Sequence, residues 1–284
     1  MMTEMNLLPP AEGHDNSLLP AVHAPLALPE EERALAIAGT EVTADFRFTF
    51  AGRECLSLYD LAQAMADMWD EARRALLDSS LAQALDAVEL SAAAFCRELT
   101  AAIAAGDITP DCAVLMAIHR FSGEKLAVWQ GRRYADGADL GMSLLQALRG
   151  TGTIPAHCDS LLMSGASSLF ADDTQREGLS ALEKRYAAPD CPMREKLCLM
   201  YMVGFLLCGT AAFVMEGETF YTVEQLAAWL EARSCKSTAA FTRACHRLLD
   251  EDHLLDPQLE AWLTAIGRRQ QVAQWQAEME AGML

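Results

Sequence analysis

Residues 48–61 read Phe-Thr-Phe-Ala-Gly-Arg-Glu-Cys-Leu-Ser-Leu-Tyr-Asp-Leu. The same grammar returns at 127–140, Ala-Val-Trp-Gln-Gly-Arg-Arg-Tyr-Ala-Asp-Gly-Ala-Asp-Leu, and at 213–226, Phe-Val-Met-Glu-Gly-Glu-Thr-Phe-Tyr-Thr-Val-Glu-Gln-Leu. In each stretch a glycine (Gly52, Gly131, Gly217) stands nine residues before a leucine (Leu61, Leu140, Leu226). Two residues before the glycine come Phe50, Trp129 and Met215, and four before it Phe48, Ala127 and Phe213. Apolar residues two apart suit one face of a strand. Three residues after the glycine come Cys55, Tyr134 and Phe220, again apolar, so a second short strand is expected there. A glycine between two such runs predicts a hairpin, because tight turns need positive φ and glycine has no Cβ to clash there.

Five residues after each glycine stand Ser57, Asp136 and Thr222, three residue types that cap a helix by accepting from a free N–H of its first turn. Asp60, Asp139 and Gln225 follow where a capping box places its reciprocal acceptor; Gln225 fits that pattern well and the aspartates loosely. Each helix then continues through its leucine, a small residue (Ala62, Gly141, Ala227) and a further apolar position (Met65, Leu144, Leu230).

The likeness extends downstream. Leu76-Leu77, Leu161-Leu162 and Leu248-Leu249 each precede a polar break and a further apolar helix, carrying Leu81 and Leu85, then Leu169 and Phe170, then Leu259, Trp262 and Leu263. Pro110-Asp111-Cys112 and Pro189-Asp190-Cys191 open the approaches to the second and third copies. The expected fold is therefore mainly α with short β-hairpins (α+β), in three tandem copies of a hairpin-plus-helices unit. The glycines lie 79 and 86 residues apart. Common solenoid repeats span roughly 20–50 residues, so each unit reads as a small subdomain. The predicted organisation is a disordered proline-rich tail over 1–32, repeat units over 33–108, 109–187 and 188–267, and an amphipathic helix over 268–284. The tail holds five of the ten prolines and two Leu-Leu-Pro sequences, at Leu7-Leu8-Pro9 and Leu18-Leu19-Pro20.

Residues 197–215 contain no charged side chain, close to the ~20 residues a membrane span needs. Phe213 and Met215 match the strand positions Phe48 and Phe50, and Gly209 is a natural helix stop. The run is expected to divide into a buried helix of about 13 residues and a strand. Nine cysteines in a chain without a secretory signal pattern point to a reducing, cytoplasmic setting with free thiols. A formal charge of −18 disfavours nucleic acid and anionic membranes, and favours a protein partner that is basic or has an exposed apolar segment.

Chemistry-bearing patterns are sparse. His157-Cys158 and Cys245-His246 are neighbours in sequence, but adjacent helical residues point about 100° apart, so adjacency alone does not join thiol to base. Cys191-Pro192 reads as a helix start, residues 150–152 as a loop, and Asp172-Asp173 and Glu251-Asp252 as solvated breaks or caps. No zinc spacing or phosphate-loop frame occurs. Trp69, Trp129, Trp229 and Trp262 read as core. The expectation is a non-enzymatic, cofactor-free, metal-free adaptor or regulator. Two alternatives stand beside it: a chaperone-like binder of apolar segments, suggested by 14 methionines, and an enzyme with a site between units. Val272, Trp275 and Met279, at helical spacing near the C-terminus, are the candidate partner-binding residues, with docking on the chain's own core as their other use.

Overall fold

The computed structural model describes residues 46–151 and 153–280. The predicted tail and both Leu-Leu-Pro sequences lie outside the described residues. Three hairpins form as separate two-stranded antiparallel sheets: β1 (Phe48–Phe50) with β2 (Arg53–Cys55), β3 (Val128–Trp129) with β4 (Arg132–Arg133), and β5 (Phe213–Met215) with β6 (Glu218–Phe220). Phe50 faces Arg53, Trp129 faces Arg132 and Met215 faces Glu218, so two residues close each loop. Both loop residues have positive φ in every case: Ala51 and Gly52, Gln130 and Gly131, Glu216 and Gly217. That is the type I′ turn, whose twist matches the flanking strands.

Helices supply the rest. Behind the first hairpin come α1 (Leu58–Asp67), α2 (Trp69–Leu77), α3 (Ser80–Leu85) and α4 (Leu90–Ala105), and α5 (Pro110–Ser122) leads into the second hairpin. Behind that come α6 (Gly137–Thr151), α7 (Ala156–Met163), a 3-10 turn at Ser167–Leu169, and α8 (Asp173–Tyr186), before α9 (Met193–Cys208) leads into the third. The chain closes with α10 (Val223–Lys236), α11 (Thr238–His246), α12 (Pro257–Ala265) and α13 (Arg269–Glu280).

All three caps form at the predicted residues. Ser57 Oγ accepts from Asp60 N (3.0 Å), Asp136 Oδ1 from Asp139 N (2.8 Å) and Thr222 Oγ1 from Gln225 N (3.3 Å). The reciprocal acceptor reaches one residue farther back than a capping box requires. Leu56 N donates to Asp60 Oδ2 and Ala135 N to Asp139 Oδ2, both at 3.0 Å, and Tyr221 N donates to Gln225 Oε1 at 2.8 Å. Only Gln225 also receives its own cap's N–H, at 3.4 Å.

The anchor leucines Leu61, Leu140 and Leu226 are all buried, each at most 4% exposed. The helix behind hairpin one packs on α5, which leads into hairpin two, and α6 packs in the same relation on α9. The α6–α9 crossing is close. A Cβ on Gly141 would stand 2.8 Å from the Gly204 carbonyl oxygen, and one on Gly204 would stand 2.7 Å from Leu145 Cδ2. Trp69, Trp129 and Trp262 are buried, and Trp229 is half-buried on the same core.

The uncharged run divides as expected, into the end of α9 and β5, with Gly209 at φ +66° as the C-cap. Its helix is 16 residues long because it begins at Met193, before the run itself. Among the described residues no helix is long and apolar enough to cross a membrane. One expectation fails here. Leu169 and Phe170 sit in and just after a single 3-10 turn rather than a helix, since Asp172 caps the next helix and ends the segment. Pro110 begins α5, and Pro189-Asp190-Cys191 lies just ahead of α9, whose cap is Pro192, so each triplet opens the approach to its hairpin.

Candidate functional site

A group of linked polar side chains lies where hairpin two meets α1, α2, α5 and α7. Hairpin two reaches it through its turn, which holds Gln130 at φ +47°. Gln130 Nε2 donates to Asp111 Oδ2 (3.2 Å) and to Ser160 Oγ (3.0 Å). Asp111, in the first turn of α5, also accepts from Trp69 Nε1 at 2.6 Å. Trp69 and Trp129 meet edge to face at 5.6 Å, and Trp129 Nε1 donates to the His157 carbonyl at 3.0 Å. At the rim, Asp67 accepts from Arg53 of hairpin one (2.8 Å) and Arg133 of hairpin two (2.7 Å). Those guanidiniums, Arg133 foremost, hold its carboxyl below the usual range. A cleft of about 290 Å³ opens beside Trp69, Asp70, Arg73, Asp111 and Gln130.

His157 and Cys158 do come together, with Nε2 and Sγ 3.2 Å apart, so the expectation from helical spacing is corrected. The reason lies in the first turn of α7, where the imidazole of His157 folds back over its neighbour. The same nitrogen is 3.2 Å from Arg132 Nη1. A guanidinium has no acceptor, so Nε2 accepts and the ring proton sits on Nδ1. Burial and the Arg132 charge both lower the His157 pKa, and burial pushes the Cys158 thiol up to about 11. A nucleophilic cysteine needs the opposite shift. Cys96, Cys112 and Cys198 are likewise pushed up to about 12 by burial.

Other polar groups serve local structure. Asp172 caps α8, and the Glu251-Asp252 break is organised by Asp250 Oδ1, which accepts from Asp252 N and Leu254 N. Glu183 is buried and accepts from Ser167 Oγ (2.5 Å) and Ser168 N (3.0 Å); burial raises its pKa. Arg194 pairs with Asp250 (2.9 Å) and Glu260 (2.6 Å) and donates to the Leu255 carbonyl. Among the described residues no cluster of His, Cys, Asp and Glu could hold a metal ion.

On α13, Val272 is buried and Trp275 is half-buried against the core, while the side chain of Met279 lies outside the described residues. The exposed large apolar residues include Leu56 (56%), Tyr59 and Tyr221 (57%). Sequence reading missed these, because β-strand alternation predicts burial only as far as Cys55 and Phe220. Position is the signal that finds them: Leu56, Ala135 and Tyr221 are the residues just ahead of the three caps, and all three are exposed.

Compared with known proteins, the chain matches no protein-family model, no curated protein and no solved structure.

Proposed function

We propose that the chain is three tandem copies of one hairpin-plus-helices unit, over 33–108, 109–187 and 188–267, acting as a non-catalytic adaptor or regulator of another protein in the cytoplasm. The observation that carries this reading is the exposed column just ahead of the caps: Leu56, Ala135 and Tyr221, with Tyr59 one turn beyond Leu56. In a repeat protein the shared positions build the core and the exposed column is free to vary, which makes it a recognition surface. Apolar groups rimmed by polar ones mark interaction sites. The polar junction at hairpin two supports the same reading, since Asp111, Gln130 and Asp67 are engaged by neighbouring elements as a clamp between them.

The test is capture from native lysate with mass spectrometry, comparing the wild type with Leu56→Asp/Tyr221→Asp. The expected result is loss of specific partners at an unchanged melting temperature. Identical capture by both proteins would sink the reading. Trp275, half-exposed on α13, extends the surface; Trp275→Ala should weaken capture by about 30-fold, the equivalent of about 2 kcal/mol at an aromatic anchor.

A further inference from the structure

Helices α10 and α11 are thinly packed: of all their side chains only Leu226 and Ala244 are buried. They pack chiefly on each other, and α10 also on β6. Past α11 the chain is held to the body again, by the bridge of Leu249 to Leu255 and by Asp250 paired with Arg194 at 2.9 Å. One carboxylate reaches both helices from the body. Glu216, the first residue of the third turn, holds Arg233 of α10 through Oε2 and Arg247, the C-cap of α11, through Oε1, each at 2.9 Å. Arg233 and Glu216 are 24% and 27% exposed, so their pair is less screened than one on the open surface. Among the described residues, the other ion pair from these helices to the body is Glu224 with Arg268, 3.9 Å long with both side chains more than half exposed. Arg233 also lies 3.1 Å over the Trp229 ring, and Trp229 meets the buried Phe220 edge to face at 5.6 Å.

We propose that α10 and α11 form a flap that lifts from the body as one unit, with Glu216 as its latch. Local opening occurs where few apolar side chains are buried, at a cost below that of global unfolding. The two helices share that cost, because they pack on each other and one carboxylate holds both. The turn position suits the task. Gln130, at the same place in hairpin two, joins α5 to α7 through Asp111 and Ser160. At hairpin three the tie is ionic and its partners are helices that the core scarcely covers, so it controls an opening instead of closing a junction. Lifting the flap parts Trp229 from Phe220 and uncovers an aromatic surface beside β6. This device is independent of the adaptor reading.

Hydrogen exchange of the full chain, read by mass spectrometry of its peptides, tests this. Amides of α10 and α11 should exchange at matched protection, about tenfold or more faster than those of α6 and α9. Glu216→Gln removes the charge and suits the turn, since Gln130 adopts the same positive φ in hairpin two. It should speed exchange in both helices together by about threefold or more and leave α6 and α9 unchanged. Arg247→Gln, at the end of α11, should speed α10 as well. Glu218→Gln, an exposed acid in β6 without an ion pair among the described residues, should change neither helix. Added salt should speed the flap in the wild type and much less in Glu216→Gln. The proposal is overturned if α10 and α11 are as protected as α6 and α9, or if Arg247→Gln speeds α11 alone, which would mean separate fraying. It is equally overturned if Glu216→Gln changes nothing or speeds α6 and α9 as much as the flap.

Discussion

Helices α6 and α10 begin alike and end differently. Each follows a type I′ hairpin, each starts at a capping side chain, and each buries its anchor leucine, Leu140 or Leu226. Beyond that turn they part. On α6, Gly141, Leu144, Leu145 and Leu148 are buried against the rest of the molecule, with α9 crossing at Gly141. The corresponding residues of α10 are Ala227, Leu230, Glu231 and Ser234, of which only Leu230 is even half-buried. Local signals therefore start a helix without deciding how much of it the fold will cover. Coverage depends on the element that packs there: α9 crosses α6, whereas α10 packs mainly on α11, which is itself thinly buried.

The sharpest way to break this contrast is at its far end. Leu148→Ala should cost roughly 2–5 kcal/mol as a buried large-to-small change, while Ser234→Ala should stay within about 0.5 kcal/mol. Equal costs in denaturant melts would mean that α6 and α10 do not differ in burial as described. At the crossing itself, Gly141→Ala should destabilise by about 1–3 kcal/mol, because the carbonyl of Gly204 is backbone and cannot swing aside. Ala227→Ser on α10 should be nearly silent; a stable Gly141→Ala protein would show that the helices can part without loss.

The caps should erase the contrast. Ser57→Ala and Thr222→Ala should each cost about 1 kcal/mol, since a cap acts within its own first turn whatever packs beyond it. A much larger loss at Thr222 would tie α10 to the core more tightly than its exposure implies. The smallest effect concerns pH. Burial raises the pKa of Glu183, so its folded form holds a proton more tightly than the unfolded chain does. Its contribution is then full below the ordinary carboxylate range and is lost as pH rises through the raised value. Subtracting the pH–stability curve of Glu183→Gln from that of the wild type should leave a curve that falls with pH. A difference that rises with pH would contradict the shift.

The hairpins, caps and anchor leucines were legible because each rests on a contact within about ten residues. Even so, the type I′ turns were half hidden: Gly52, Gly131 and Gly217 announce positive φ, but Ala51, Gln130 and Glu216 adopt it as well and carry no such signal. The candidate site was less legible. Asp111 meets Trp69, 42 residues away, and Gln130, 19 away, so no spacing rule reaches it. His157 and Cys158 were visible as neighbours, yet their 3.2 Å approach depends on the side-chain geometry within α7, and the Arg132 beside them comes from the second hairpin.

By itself the sequence determined the local grammar of this protein: three turns, three caps, the helices they start, and the division of the uncharged run at Gly209. Those features follow from backbone sterics and short-range hydrogen bonds, which a side chain carries wherever it is placed. Only the tertiary structure decided which capped helix would be covered and that the Trp69 and Trp129 rings would meet beside Asp111. Burial depends on what is brought within a few ångströms, and for α6 and α10 that is set by which helix packs there, α9 on the one and the thinly buried α11 on the other.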